Sequence, residues 1–293
     1  MKGIVLAGGY GTRLKPASLA VIKQLMPVYN KPMIFYPLST LMLTGIRDIL
    51  IISTPNDTPK FKQLFGDGKR LGVRFFYKVQ KTPKGIAEAL IIGKEFIKND
   101  SVVLILGDNI FYGANLEELL ISAKESVEQR GGAYLFCYRV KDPTRYGIAR
   151  FDNNMRLIEI IEKPKDPPSN WAVTGIYFYD STCVEIASSL RPSKRGELEI
   201  TDINNWYIKK KSVSYSLLGS GYAWLDMGTF QSMLDAQNFI ETIETRQGLK
   251  IGSVEEIAYR KGYIKKEGLR YFIELYKGSE YADYLQEILN EKD

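Results

Sequence analysis

The first half of the chain alternates short apolar runs with segments of helical spacing, and this alternation limits the fold more than any other feature. The apolar runs are residues 3–7, 49–52, 73–77 and 102–106. Their length and lack of polar alternation are typical of strands buried on both faces. The helical segments between them are residues 33–43, 58–65, 86–97 and 116–127. Strand alternating with helix predicts an open, mainly parallel α/β sheet of Rossmann-like type.

The pattern changes after Gly132, where strand-like segments follow one another with few helices between them. These segments are residues 133–140, 148–152, 157–161 and 173–179. They predict a mixed sheet, still flanked by helices. From Phe230 onward the apolar spacing is helical, which predicts a core over residues 1–229 and a small helical C-terminal part over residues 230–293.

The composition excludes several kinds of chemistry, because the 293 residues include no histidine. A Ser-His-Asp triad, a histidine-ligated zinc site and an imidazole general base are therefore impossible.

The net charge of +6, from 40 basic and 34 acidic residues, is small, and the basic residues are scattered along the chain. It does not indicate a nucleic-acid partner.

Two cysteines, Cys137 and Cys183, lie in apolar stretches and are expected to be free and buried. No run of about 18 apolar residues is present, so no membrane helix is expected. We also expect no signal peptide, because glycines interrupt the first apolar run. These observations favour a reducing compartment, the cytoplasm.

Residues 6–14 are the most informative stretch, because three glycines in four positions follow the first strand directly. Glycines allow backbone amides to wrap a phosphate, and Arg13 adds a fork of donors. A Walker A loop would need Lys and Ser or Thr after Gly11, where Thr12 and Arg13 stand. A dinucleotide-binding fingerprint would need a small residue at Leu14 and an acidic residue about 20 positions on. Neither requirement is met, which argues against a nicotinamide-dependent oxidoreductase.

Two aspartates follow strand-like segments. Asp108 comes just after the run 102–106, and Asp226 ends a segment that precedes a helix. In open α/β sheets ligands bind beyond the carboxyl ends of the strands, where an aspartate can hold a hard cation against phosphate. Each aspartate alone could equally be a turn or helix-capping residue. Together with the glycine loop they suggest a magnesium site.

An ordered series of sequence blocks resembles the sugar-nucleotide pyrophosphorylases, a family of sugar nucleotidyltransferases, in its members that use dTTP and glucose 1-phosphate. The blocks are residues 6–14, 23–27, 31–38, 107–113, 145–147, 162–164, 196–202 and 223–226. The resemblance covers the chain from Met1 to about Lys261. It implies Mg²⁺-dependent transfer of a nucleotidyl group, in which dTTP and glucose 1-phosphate give dTDP-glucose and pyrophosphate. It also implies a homotetramer and a place at the start of dTDP-rhamnose synthesis.

The resemblance implies a role for each block. Catalytic residues would be Arg13, Lys23, Asp108, Lys163 and Asp226, with Asp108 and Asp226 holding Mg²⁺. Nucleotide-binding residues would be Leu6, Gly8, Gly9, Gly11, Thr12, Arg13, Gln24, Gln80, Pro83, Gly85 and Asp108. Sugar-phosphate residues would be Tyr146, Gly147, Glu162, Lys163, Val173 and Arg195. Gln80 is expected to read the base, since its amide has both a donor and an acceptor.

The resemblance also implies a second nucleotide site, at which a product such as dTDP-rhamnose would inhibit. Its residues would be Gly113, Gly221, Ser253, Glu256, Ile257 and Arg260. Many relatives carry histidine where this chain has Ala114 and Phe230, which affects the expectation for regulation more than that for catalysis. Two alternatives stay open at this level: the same chemistry with UTP or another sugar 1-phosphate, and a non-catalytic nucleotide-sugar sensor.

Overall fold

The computed structural model describes residues 1–9 and 11–291, so Tyr10 and residues 292–293 lie outside the described part. The strands are β1 (Lys2–Ala7), β2 (Pro27–Val28), β3 (Lys31–Pro32), β4 (Asp48–Ser53), β5 (Arg74–Val79), β6 (Val102–Leu106), β7 (Asn109–Gly113), β8 (Ala133–Arg139), β9 (Gly147–Phe151), β10 (Leu157–Glu162), β11 (Trp171–Tyr179), β12 (Val213–Leu218) and β13 (Tyr222–Asp226). The helices are α1 (Ala17–Ala20), α2 (Phe35–Leu43), α3 (Thr58–Phe65), α4 (Glu88–Ile92), α5 (Lys94–Ile97), α6 (Leu116–Arg130), α7 (Cys183–Ser189), α8 (Ile200–Lys209), α9 (Phe230–Gln247), α10 (Val254–Arg260), α11 (Lys266–Leu275) and α12 (Glu280–Asn290).

Within the described residues, the main sheet has nine strands and is mixed but mainly parallel. Strands β5, β4, β1 and β6 run parallel to one another, and β11 then pairs antiparallel with β6. β8 pairs antiparallel with β11 and parallel with β12. This confirms the predicted Rossmann-like sheet. It also places the carboxyl ends of β1, β5 and β6 at one edge, where ligands bind in such sheets.

The strands form where the apolar runs predicted them, and β1, β4 and β6 are buried on both faces as expected. The expectation is wrong for the run 73–77, because β5 is an edge strand and its Phe76 and Val79 side chains are exposed. Side chains of β1, β4 and β6 alternate between two hydrophobic clusters, one on each side of the sheet. The predicted helix over residues 86–97 is divided at Gly93 into α4 and α5. A Cβ at Gly93 would lie 2.8 Å from Cδ1 of Ile4, so a glycine lets this helical segment approach β1 closely.

Helices α7 and α8 lie between β11 and β12, in the half of the chain where few helices were expected. The α8 sequence contains asparagines that favour turns in isolation, but in the structure they connect the helix to the sheet. Asn205 accepts a hydrogen bond from the Ile160 amide at 2.9 Å and donates to its carbonyl at 2.8 Å. Asn204 accepts from the Tyr179 hydroxyl at 2.5 Å. Tertiary contacts therefore stabilise a helix that local preference does not favour.

The chain after Phe230 is helical, and its helices α10 to α12 pack on the same hydrophobic cluster as α2 and α6. Val254, Leu269 and Leu285 are fully buried there. The division at residue 229 stays a prediction. Among the described residues, no helix combines the length and apolar character needed to cross a bilayer. Both cysteines are buried and unpaired.

Candidate active site

The glycine loop follows β1 directly and lines a cavity of about 230 Å³ at the carboxyl edge of the sheet. Gly9 and Gly11 have φ values of 95° and 54°. Residues other than glycine adopt such positive φ values only with strain, because their Cβ atom crowds the backbone. Predicted residues that line this cavity are Gly8, Gly9, Gly11, Thr12, Arg13, Lys23, Gln24, Asp108 and Asp226. The cavity therefore gathers the loop, two cations and both predicted metal ligands.

Asp108 and Asp226 are brought together by a small second sheet. β7 and β13 pair antiparallel with Asn109 opposite Asp226 in register. The amide of Met227 donates to the carbonyl of Asp108 at 3.2 Å. The two aspartates, separated by more than 100 residues in the chain, thus line the same cavity.

The charges around this carboxylate pair are arranged in two ion pairs. Lys23 contacts Asp108, and Arg145 contacts Asp226 with 3.3 Å between nitrogen and Oδ2. Burial raises the pKa of Asp226, and the Asp108 charge raises it further, while Lys23, Arg145 and Arg13 oppose this rise. Two carboxylates thus lie among three cationic side chains, and loss of solvation on burial is the main reason that the pKa of Asp226 is raised.

A second cavity of about 230 Å³ adjoins the phosphate loop and contains the predicted base-reading residues. It is lined by Leu6, Gly8, Gly9, Gln24, Gln80, Pro83, Gly85 and Asp108, among others. Gly85 has φ of 105°, and a Cβ there would overlap the backbone oxygen of Leu198. Gln24 donates to the carbonyl of Gly8 at 3.3 Å, while its buried Oε1 has no hydrogen-bond partner among the described residues. A buried amide oxygen without a hydrogen-bond partner is uncommon in folded proteins, where a water or a ligand usually supplies the missing donor.

A third cavity, of about 190 Å³, contains the predicted sugar residues Tyr146, Gly147, Glu162, Lys163 and Val173. Glu162 is the centre of its polar network: it accepts from the Thr201 hydroxyl at 2.6 Å and from Arg195 at 3.2 Å. Lys163 Nζ is 3.6 Å from Glu162 Oε1. Arg195 does not line the cavity itself but reaches it through Glu162.

The backbone of Lys163 has φ of 43°, a conformation that costs free energy for a residue other than glycine. Its amide donates to the carbonyl of Tyr146 at 2.9 Å. Tyr146 in turn packs on Trp224, with ring centroids 5.1 Å apart. The strained residue is thus held between the strand end and the sugar cavity.

The three cavities adjoin one another, because each outer cavity shares lining residues with the phosphate cavity. Arg13 and Asp226 line both the phosphate and the sugar cavities. Gly8, Gly9, Gln24 and Asp108 line both the phosphate and the base cavities. Two phosphorylated molecules placed in the outer cavities would therefore bring their phosphates together beside Arg13 and the two aspartates.

A separate cavity of about 710 Å³ lies against the C-terminal helices and includes part of the predicted second site. Gly113, Glu256, Ile257 and Arg260 line it, whereas Ser253 and Gly221 do not. Ser253 is the buried N-cap of α10, where its hydroxyl accepts from the Glu256 amide. Glu256 and Arg260 pair with each other at 2.7 Å.

Several residues of the site were not singled out from the sequence as site residues. Arg145 pairs with Asp226, Thr201 donates to Glu162, and Trp224 Nε1 donates to Asn109 at 2.6 Å. Glu88 holds the Gln80 amide. Arg145, Thr201 and Trp224 lie within the sequence blocks that carry the family resemblance, so their membership of a block could have identified them as site residues. Glu88 lies outside these blocks, and the sequence gives no comparable signal for it.

The glycine loop, the paired aspartates and the adjoining cavities lie at the carboxyl ends of the strands of a Rossmann-like sheet, and the class of protein that this fold and site define is a nucleotidyltransferase. A family model described as nucleotidyl transferase matches residues 2–243. The chain therefore belongs to the nucleotidyl transferase family.

Curated relatives match almost the whole chain. A glucose-1-phosphate thymidylyltransferase of Neisseria meningitidis serogroup A is 51% identical over 289 residues, covering 99% of each chain. The protein of the same name from Mycobacterium tuberculosis H37Rv is 49% identical over 289 residues, again covering 99% of each.

Solved structures share the fold. A Bacillus anthracis chain described as a glucose-1-phosphate thymidylyltransferase, in complex with sucrose, has a TM-score of 0.75 at 43% identity. The match covers 82% of this chain and 94% of that one. A UDP-glucose pyrophosphorylase with UDP-glucose bound has a TM-score of 0.73 at 24% identity, covering 83% and 98%, which supports the fold alone.

Proposed function

We propose that this nucleotidyltransferase joins dTTP and glucose 1-phosphate to give dTDP-glucose and pyrophosphate, with Mg²⁺ as cofactor. The observation that carries the proposal is the pair Arg13 and Asp226, which line both the phosphate and the sugar cavities. The names and near-complete overlap of the curated relatives support the choice of substrates.

In this reaction an oxygen of the sugar phosphate attacks the α-phosphorus of dTTP, and the bond from that phosphorus to the bridging oxygen of pyrophosphate breaks. The nucleophile is already an anion, so no proton has to move, which suits a chain without histidine. The protein's task is to hold two anions that repel each other and to stabilise charge on the leaving group. Arg13 and Lys23 would neutralise the departing phosphates, and Lys163 would neutralise the sugar phosphate.

The donor chemistry of Asp108 and Asp226 fits Mg²⁺. Mg²⁺ prefers carboxylate oxygen and commonly binds through one or two carboxylates together with substrate phosphates and water. Within the described residues, no group of three or more carboxylate, thiol or imidazole side chains could form an all-protein metal cage. The ion would supply charge neutralisation at the transferring phosphoryl group when bound.

The proposed function is tested by measuring pyrophosphate release with each nucleoside triphosphate, with and without glucose 1-phosphate and Mg²⁺. We expect release that requires dTTP, the sugar phosphate and the metal together, and that stops with EDTA and returns with added Mg²⁺. UTP is the main competitor, because one methyl group changes binding by only about 1–3 kcal/mol in an apolar pocket. Nucleotide binding without release from any triphosphate would contradict the proposal and favour a nucleotide-sugar sensor.

We further propose a homotetramer and a regulatory role for the 710 Å³ cavity, with dTDP-rhamnose as the expected inhibitor. Exposed apolar residues on α9 and α11, Phe230, Leu234, Tyr271 and Leu275, support subunit contacts by the C-terminal part. Light scattering should give four times the chain mass at micromolar concentration, and a monomer would contradict the assembly.

The free buried cysteines agree with a reducing, cytoplasmic setting.

A further inference from the structure

Glu88, in the first turn of α4, contacts Gln80, the residue proposed to read the base, from outside the base cavity. One of its carboxylate oxygens, Oε2, accepts hydrogen bonds from Gln80 Nε2 at 2.7 Å and from the Lys84 amide at 3.1 Å. Glu88 is not among the residues that line the base cavity, whereas Gln80 is. Any effect of Glu88 on a bound base must therefore pass through Gln80 or its loop.

The contact with Glu88 fixes which way round the Gln80 amide lies. The oxygen and nitrogen of a glutamine amide are similar in size, so packing alone barely distinguishes the two orientations. A carboxylate has acceptor oxygens only, so the amide nitrogen must face Glu88. The amide oxygen then lies over the phosphate loop, where a Cβ on Gly8 would be 2.5 Å from it. Gly8 also lines the base cavity.

The loop that follows Gln80 is held by backbone hydrogen bonds to Leu198, which limits movement of the Gln80 side chain together with its loop. The carbonyl of Lys84 accepts from the Leu198 amide at 2.7 Å, and the Ala87 amide donates to the Leu198 carbonyl at 3.2 Å. Gln80 is only 3% exposed and its backbone amide donates to the Ser53 carbonyl at 2.8 Å, so rotation of the side-chain amide by half a turn is the rearrangement that disturbs its surroundings least.

We propose that Glu88 is a positioning residue that presents Gln80 Oε1 to the base and so selects bases that carry an N3–H group. Thymine and uracil have this donor, which can pair with Oε1. Cytosine has an acceptor at N3, which would face another acceptor. The inference rests on the proposed function, and it predicts discrimination of thymine and uracil from cytosine, with no effect on the choice between thymine and uracil.

The test compares kcat/KM for dTTP, UTP and dCTP, each with glucose 1-phosphate, in the wild type and in Glu88→Gln. A glutamine at 88 can accept from Gln80 or donate to it, so both orientations of the Gln80 amide become possible. We expect the preference for dTTP over dCTP to fall about tenfold, because a hydrogen bond to a charged group is replaced by neutral alternatives. The ratio of dTTP to UTP should not change. Glu95→Gln, an exposed carboxylate on α5, is the matched control and should leave every ratio unchanged.

The same substitution in a Gln80→Ala background distinguishes positioning from a general structural effect. Without the Gln80 amide, Glu88→Gln should change the dTTP to dCTP ratio less than twofold. Equilibrium binding of dTTP and dCTP gives the same comparison if turnover is lost, and Glu88→Asp, which draws the carboxylate back, should also reduce the preference. Equal losses with both nucleotides, or a change in ratio that persists without Gln80, would overturn the inference. A wild type inactive with both dTTP and UTP would instead refute the proposed function.

Discussion

Asp226→Asn is expected to lower kcat about a thousandfold while leaving the free energy of unfolding unchanged or higher. Asparagine keeps the size of the side chain and removes one of the two charges that would hold Mg²⁺ between the substrates. The affinity for dTTP should fall much less, since the loop amides, Arg13 and Lys23 remain in place. Asp108→Asn should lower kcat in the same way.

The expected stability has a separate cause. Burial and the charge of Asp108 raise the pKa of Asp226, which means that its ionised form is disfavoured in the folded protein. Removing that charge takes away a desolvation cost and the repulsion from Asp108, although it also removes the ion pair with Arg145. Functional sites commonly hold such destabilising arrangements.

The measurement combines steady-state kinetics, equilibrium binding of dTTP and urea unfolding of the same protein sample. Asp235→Asn, at an exposed position on α9, serves as the control and should match the wild type in all three. Equal losses of turnover and nucleotide affinity in Asp226→Asn would contradict a catalytic role. They would favour a protein that binds nucleotide sugars without converting them.

The position of the site could be predicted from the sequence because local signals determine it. Apolar runs such as residues 102–106 indicate buried parallel strands, and the carboxyl ends of parallel strands share an edge. Asp108 and the glycine loop each follow such a strand directly. Their position at the same end of the sheet therefore follows from the strand pattern, whereas the neighbouring placement of β1 and β6 is a property of the fold.

The partners within the site could not be predicted in this way, because they depend on pairing between distant segments. β13 lies beside β7 although more than 100 residues separate them, and this pairing alone places Asp226 next to Asp108. Thr201 reaches Glu162 from a helix that local preference does not favour. Glu88 belongs to no recognisable sequence motif, because its proposed role depends on the orientation of the Gln80 side-chain amide.

The second large effect concerns a buried ion cluster outside the site. Glu244→Ala is expected to lower the free energy of unfolding by about 3–5 kcal/mol, the usual cost of removing one partner of a buried ion pair. The side chains of Lys31 and Glu244 are 4% and 1% exposed, with 3.2 Å between nitrogen and oxygen. Glu244 also accepts from Asn30 at 2.6 Å and from the Ile251 amide at 2.8 Å. The cluster thus joins the β2–β3 hairpin to the end of α9.

Urea unfolding of three variants separates the charge from the side chain's other contacts. Glu241→Ala, exposed on the same helix, is the control and should change stability by less than about 0.5 kcal/mol. Combining Lys31→Met with Glu244→Leu removes both charges of the buried pair and should recover part of the loss, because apolar replacements of buried pairs are often neutral. The recovery is partial because Asn30, the Ile251 amide and Lys250 still lose their acceptor. A Glu244→Ala protein as stable as the control would show that the cluster contributes little.

The dependence on pH tests the cause directly. Burial lowers the pKa of Lys31, and the Glu244 charge opposes this effect, so removing Glu244 should lower that pKa further. Above the folded-state pKa the native protein holds fewer protons at Lys31 than the unfolded chain, and stability then rises with pH until the unfolded-state pKa of about 10.4. The deficit of Glu244→Ala relative to wild type should therefore narrow as the pH is raised from 7 towards 10. A deficit that stays constant over this range would mean that lost packing and hydrogen bonds, and not an unpaired ammonium group, destabilise the variant.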